Sequence, residues 1–107
     1  MSLIPQLEDV AEMFDNLYDL FAKKNHDYGN SVFETCELAP SISVEDAIAV
    51  RMSDKVKRIS KLRANGGVGQ VKEESLDDTI IDLVVYGVLW VTQRKVNRSK
   101  SLMSKVT

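Results

Sequence analysis

The chain has 107 residues, 44% of them hydrophobic and 28% charged, with a formal net charge of -2. This is the size of one domain and the composition of an ordinary globular protein, which excludes a disordered or fibrous chain and any global pull toward nucleic acid or membrane. Cys36 is the only cysteine, so an intrachain disulfide is excluded and a reduced, cytoplasmic setting is expected.

The first helix is expected from about Pro5 or Gln6 to Lys24. Val10, Met13, Phe14, Leu17 and Phe21 recur at steps of three and four, the stripe of a helix with one apolar face. Pro5 suits a first-turn position. The stretch from Asn25 to Ala39 breaks the pattern. It holds Asp27-Tyr28-Gly29-Asn30-Ser31, a turn by composition, and Val32 and Phe33 are expected to anchor it to the core.

Ser43 opens the second helix by capping the amide of Asp46, which can return the bond. Ile48, Met52, Val56, Ile59 and Leu62 or Arg63 are expected on its buried face. Asn65-Gly66-Gly67-Val68-Gly69 ends it, because three glycines cannot continue a helix cheaply. The third helix begins near Glu73 to Ser75 and runs to about Lys95 or beyond. Acids crowd its first turns and bases its last, as the helix dipole favours.

The middle of the third helix, Ile80 to Val91, is apolar nearly all round except at Asp82. Such a helix wants more partners than a small chain supplies. A homo-oligomer packed through residues 76–93 is therefore expected, with Gly87 allowing close approach. The run is too short and too acidic to span a bilayer, and the N-terminal residues lack a secretory pattern. Residues 96–107 read as a basic, solvated tail rather than a nucleic-acid surface. The expected fold class is all-α: a single domain over 1–107, its core at about 5–95, built as a small helical bundle of three to five helices.

Three constellations carry candidate chemistry. Glu74, Asp78 and Asp82 are spaced four apart and share one helix face. Carboxylates so placed suit a hard cation such as Mg²⁺, with Asp54 as a further oxygen donor. The competing reading is that these acids pair with bases on the second helix. Arg51, Lys55 and Arg58 form the second constellation, at i, i+4 and i+7. A row of cations suits phosphates, and Arg grips two oxygens at once. The third is Lys24 with Asp27 and Tyr28, where an aromatic ring can stack on a base. His26, the only histidine, reads as a loop residue, and the glycines at 66–69 read as a connector rather than a phosphate loop.

Taken in order, Lys24-x-x-Asp27-Tyr28-Gly29-x-Ser31, then Arg51-x-x-Asp54-Lys55-x-x-Arg58, then Glu74-Ser75-x-x-Asp78-Thr79-x-x-Asp82-Leu83-x-x-Tyr86 resembles the nucleotide modification associated domain 1 family of bacteriophages and bacteria. The resemblance covers roughly residues 10 to 90. It implies a helical domain that acts on or binds nucleotides, in the host cytoplasm if phage-encoded. It further implies kinship to the MazG-like, all-α nucleoside triphosphate pyrophosphohydrolases, which bind Mg²⁺ through acid pairs on two successive helices. Here the second pair is matched by Glu74 with Asp77 or Asp78. The first is not: Arg51, Asp54, Lys55 and Arg58 stand in its place, and only Asp54 is an acid.

Two functions follow as expectations. One is a Mg²⁺-dependent pyrophosphohydrolase, with Asp82, Asp78 and Glu74 as catalytic and metal-binding acids joined by Asp54. Arg51, Lys55, Arg58 and Lys24 would then hold the phosphates. The other is a non-catalytic protein that binds or sequesters a nucleotide, cyclic ones included, through the same bases with Asp27 at the site and Tyr28 or Tyr86 against the base.

Overall fold

The computed structural model describes residues 6–28, 31–66 and 75–106, with side chains described at 6–25, 32–66 and 75–103. These residues form three α-helices, α1 (Gln6–Tyr28), α2 (Val44–Ala64) and α3 (Leu76–Val106), and one 3-10 turn, Ser31–Phe33. No strand occurs among the described residues, so the all-α class holds. The chain divides into two compact units, Met1–Ser31 and Val32–Thr107.

The first unit is α1. It continues to Tyr28 rather than stopping at Lys24. Asn25, His26 and Asp27 are only mildly unfavourable inside a helix, and the strong breaker, Gly29, comes after them. On its apolar stripe Leu17 and Phe21 are half-buried. Val10, Met13 and Phe14 stay 48%, 48% and 65% exposed.

The second unit is an antiparallel hairpin of α2 and α3. Glu45, early in α2, bonds Trp90 and Asn97, late in α3. Further along α2, Met52 lies against Gly87 and Lys55 meets Asp82. Both helices present a seam with alternating steps of four and three residues. In α2 it is Ile48, Met52, Lys55, Ile59 and Leu62; in α3 it is Thr79, Asp82, Tyr86, Leu89 and Gln93. All ten are buried or half-buried. This is the spacing by which paired helices keep one line in contact.

The seam corrects one expectation. Val56 is 51% exposed, and Lys55 takes the place expected for it. A step of three after Met52 keeps the line facing α3, and a step of four carries it outward. Leu62, not Arg63, closes the seam.

Ile48, Leu62 and Leu89 form the tightest part of the core, at 1%, 3% and 5% exposure. Full burial of each such side chain contributes roughly 1.5–3 kcal/mol. Two polar residues are buried with them, and both are satisfied. Thr79 donates its hydroxyl to the Ser75 carbonyl at 3.0 Å. Gln93 donates to Asn97 Oδ1 at 2.8 Å. A clasp then joins the helices. Glu45 accepts from Trp90 Nε1 at 2.8 Å and from Asn97 Nδ2 at 3.1 Å, with Arg94 Nε 3.7 Å away.

Both helix starts are capped. Ser43 Oγ accepts from the Asp46 amide at 3.0 Å, as expected. Ser75 does the same for Asp78 at 3.1 Å, and the Ser75 amide donates back to Asp78 Oδ2 at 3.4 Å. This is a reciprocal capping box with Asp in the acceptor position. α2 ends at Asn65, followed by Gly66 at φ +68°, a left-handed turn that glycine adopts without strain. α3 extends through Val106, so the stretch read as a solvated tail continues the helix. Among the described residues no helix is long and apolar enough to cross a membrane.

Candidate functional site

The register of the hairpin sets Lys55 opposite Asp82 in the middle of the seam. Lys55 Nζ lies 3.2 Å from Asp82 Oδ2, and the two side chains are 28% and 36% exposed. An acid in an apolar helix demands a cation, and here that cation comes from α2. The predicted facing of basic and acidic helix faces therefore forms, with Lys55 as the base opposite Asp82.

One turn along the seam, the Arg51 guanidinium sits over the Tyr86 ring, 6.0 Å from its centroid. That is the outer range of a cation–π contact. It holds one plane of the guanidinium against the ring, and Arg51 as a whole remains exposed. Arg51 and Lys55 are four apart on α2, as Tyr86 and Asp82 are on α3, so the two pairs form successive rungs. Arg58 is half-buried in the next turn toward the end of α2, and Asp54 is exposed and off the seam.

Asp78 lies one turn before Asp82 but is occupied differently. It is the acceptor in the Ser75 capping box, so its carboxylate secures the start of α3. Glu74 falls outside the described residues. Lys24 is an exposed residue of α1, in the first unit. Asp27 and Tyr28 close α1, with side chains outside the described residues. The structure thus brings together Arg51, Lys55, Asp82 and Tyr86, with Arg58 and Asp78 a turn beyond.

Carboxylate oxygens are the right donors for Mg²⁺, but these carboxylates are engaged. Asp82 faces an ammonium and Asp78 faces a backbone amide. Among the described residues no three His, Cys, Asp or Glu side chains gather where a metal could sit. Asp54 stands apart from Asp78 and Asp82, exposed and off the seam. What the cluster presents is positive charge along α2: Arg51 is exposed, and Lys55 meets the half-exposed Asp82 carboxylate.

Two structural residues were not anticipated. Ser75 was legible, because Ser75-x-x-Asp78 repeats the pattern of Ser43-x-x-Asp46. Glu45 was less so: the only signal was that Trp90, in an apolar stretch, needs an acceptor for its indole N–H.

No curated protein and no solved structure matches the chain. The family model described as nucleotide modification associated domain 1 matches residues 24–94, about two-thirds of the sequence and the whole span from Lys24 to Tyr86. With the motifs of α2 and α3 in that order and facing one another, the chain belongs to the nucleotide modification associated domain 1 family.

Proposed function

We propose that the protein binds a nucleotide through its phosphates on the face of α2 centred at Lys55, without a metal ion and without turnover. The observation that carries this reading is the Lys55–Asp82 pair. It is a pair of charges set in an apolar seam and still partly open to solvent. An ion pair this exposed contributes roughly 0–1 kcal/mol, so a phosphate can take Lys55 from Asp82 at small cost. Arg51, exposed and one turn from Lys55, supplies a forked donor to further phosphate oxygens. Tyr86 holds Arg51 by its face and fixes where that fork points. Binding rather than hydrolysis is favoured because Asp78 and Asp82 have other partners and the Arg51-x-x-Asp54-Lys55-x-x-Arg58 motif of α2 offers only Asp54 as an acid.

The test is calorimetry with nucleoside mono-, di- and triphosphates in the presence of a chelator, with product analysis after addition of Mg²⁺. Binding is expected without metal. Lys55→Met should weaken it about tenfold or more, the loss of one charge-assisted hydrogen bond. Asp82→Asn should tighten it, because the competitor for Lys55 is gone. The opposite sign for Asp82→Asn, together with Mg²⁺-dependent release of monophosphate from a triphosphate, would replace this reading with a pyrophosphohydrolase. Absence of binding to any nucleotide would end both.

A further inference from the structure

The face of α3 turned away from the α2 seam is apolar at its centre and charged, with opposite signs, at its two ends. Ile80, Val84, Val88 and Val91 are 41%, 43%, 59% and 54% exposed. Their steps of four, four and three keep them on one line, and at 3.6 residues per turn that line lies opposite Asp82, Tyr86 and Gln93. Scattered exposed valines need no explanation, but a continuous apolar stripe does. Extending the stripe toward the start of α3 meets Asp77. Extending it toward the end meets Lys95 and then Arg98. All three are exposed.

We infer that this stripe is the contact surface of a homodimer in which α3 packs antiparallel against α3 of a second copy. The charge order commits it to that occupant. A twofold axis crossing the helix pair near Gly87 and Val88 sets Val84 of each copy against Val91 of the other. The same axis sets Asp77 of each copy beside Arg98 of the other, and Ile80 beside the alkyl stem of Lys95. A parallel pairing would instead put Asp77 beside Asp77 and Arg98 beside Arg98. One surface is thus complementary to itself under the symmetry most dimers use. A single helix face buries less than the about 1,600 Å² of a standard interface, so the dimer should dissociate on dilution.

This inference is independent of nucleotide binding, and it is read by mass rather than by affinity for a ligand. Sedimentation velocity of the full chain over a wide concentration range should show a monomer–dimer equilibrium that weakens in high salt. Asp77→Arg and Arg98→Asp, each alone, remove two cross-pairs and create two like-charge contacts, and should weaken the dimer at least about tenfold. The double exchange should restore it. Circular dichroism of each variant separates loss of the dimer from loss of the helix. A monomer at every concentration would overturn the proposal and leave the stripe to another segment of the same chain. A dimer that ignores both single substitutions, or that the double exchange fails to rescue, would overturn it as well.

Discussion

Replacing Lys55 with Met and Asp82 with Leu, singly and together, measures how firmly the central charge pair is held. At the observed 3.2 Å, Coulomb attraction spans about 1 kcal/mol in water to about 5 kcal/mol at an effective dielectric of 20. Side chains that are 28% and 36% exposed keep much of their hydration and lose rotamer freedom on pairing. The net coupling should therefore fall at roughly 0.2–1 kcal/mol. Each single variant exchanges that coupling for the apolar packing of its new side chain and is expected to stay within about 0.5 kcal/mol of the native chain. The double variant is expected to be more stable than the native chain by about 1 kcal/mol, because Met and Leu add apolar contacts to the middle of the seam. Urea unfolding followed by far-ultraviolet circular dichroism and by the emission of Trp90, the only tryptophan, gives the four stabilities. A coupling above roughly 2 kcal/mol would refute the reasoning, since the pair would then be a lock of the kind found in buried sites. Lys55 would not be released to a phosphate at small cost.

Two glycines should respond to alanine with opposite signs. Gly66→Ala is expected to cost about 1–2 kcal/mol from its positive φ alone, since no atom lies within 4 Å of the added methyl. Gly87→Ala should stabilise by roughly 0.5–1 kcal/mol, because the new Cβ meets only Met52 Cε at 3.9 Å; a loss there would show that a closer neighbour needs the glycine. Glu45→Ala leaves Trp90 and Asn97 without their acceptor, and should cost roughly 1–3 kcal/mol and shift the tryptophan emission to the red. An unshifted spectrum would count against the clasp. Ser75→Ala removes the cap of α3 and should cost about 0.5–2 kcal/mol, to be read from the same urea curves.

The all-α class and the three helices were legible because apolar residues recur at helical steps and glycines punctuate them. The partner of Asp82 was half legible. Charge balance required a base from the second helix, but Lys55 looks like a surface residue by type. Only the packed register shows that a seam of alternating four and three steps passes through it and leaves Val56 outside. The capping bond of Asp78 was hidden for a different reason. Four-residue spacing makes Asp78 a neighbour of Asp82, and spacing carries no information about which acid a nearby serine amide has already claimed. The far ends of α1 and α3 were read short because polar residues weaken the apolar pattern without breaking the backbone hydrogen bonds. Gly87 lies on the side of α3 near Met52, where an added Cβ would make an ordinary contact at 3.9 Å.

α3 also outruns its support. Among the described residues its last side-chain hydrogen bond to α2 is Asn97 to Glu45, yet the helix continues to Val106. The segment beyond is shorter than the roughly 12–15 residues an isolated helix needs in water, and its described side chains are all exposed. It is therefore helical by propagation from a nucleus that the hairpin supplies. Its amides should exchange with solvent far faster than those around Leu89, and their exchange should rise further whenever the Glu45 clasp opens. The helicity of the basic end is thus a remote gauge of whether α2 and α3 are joined.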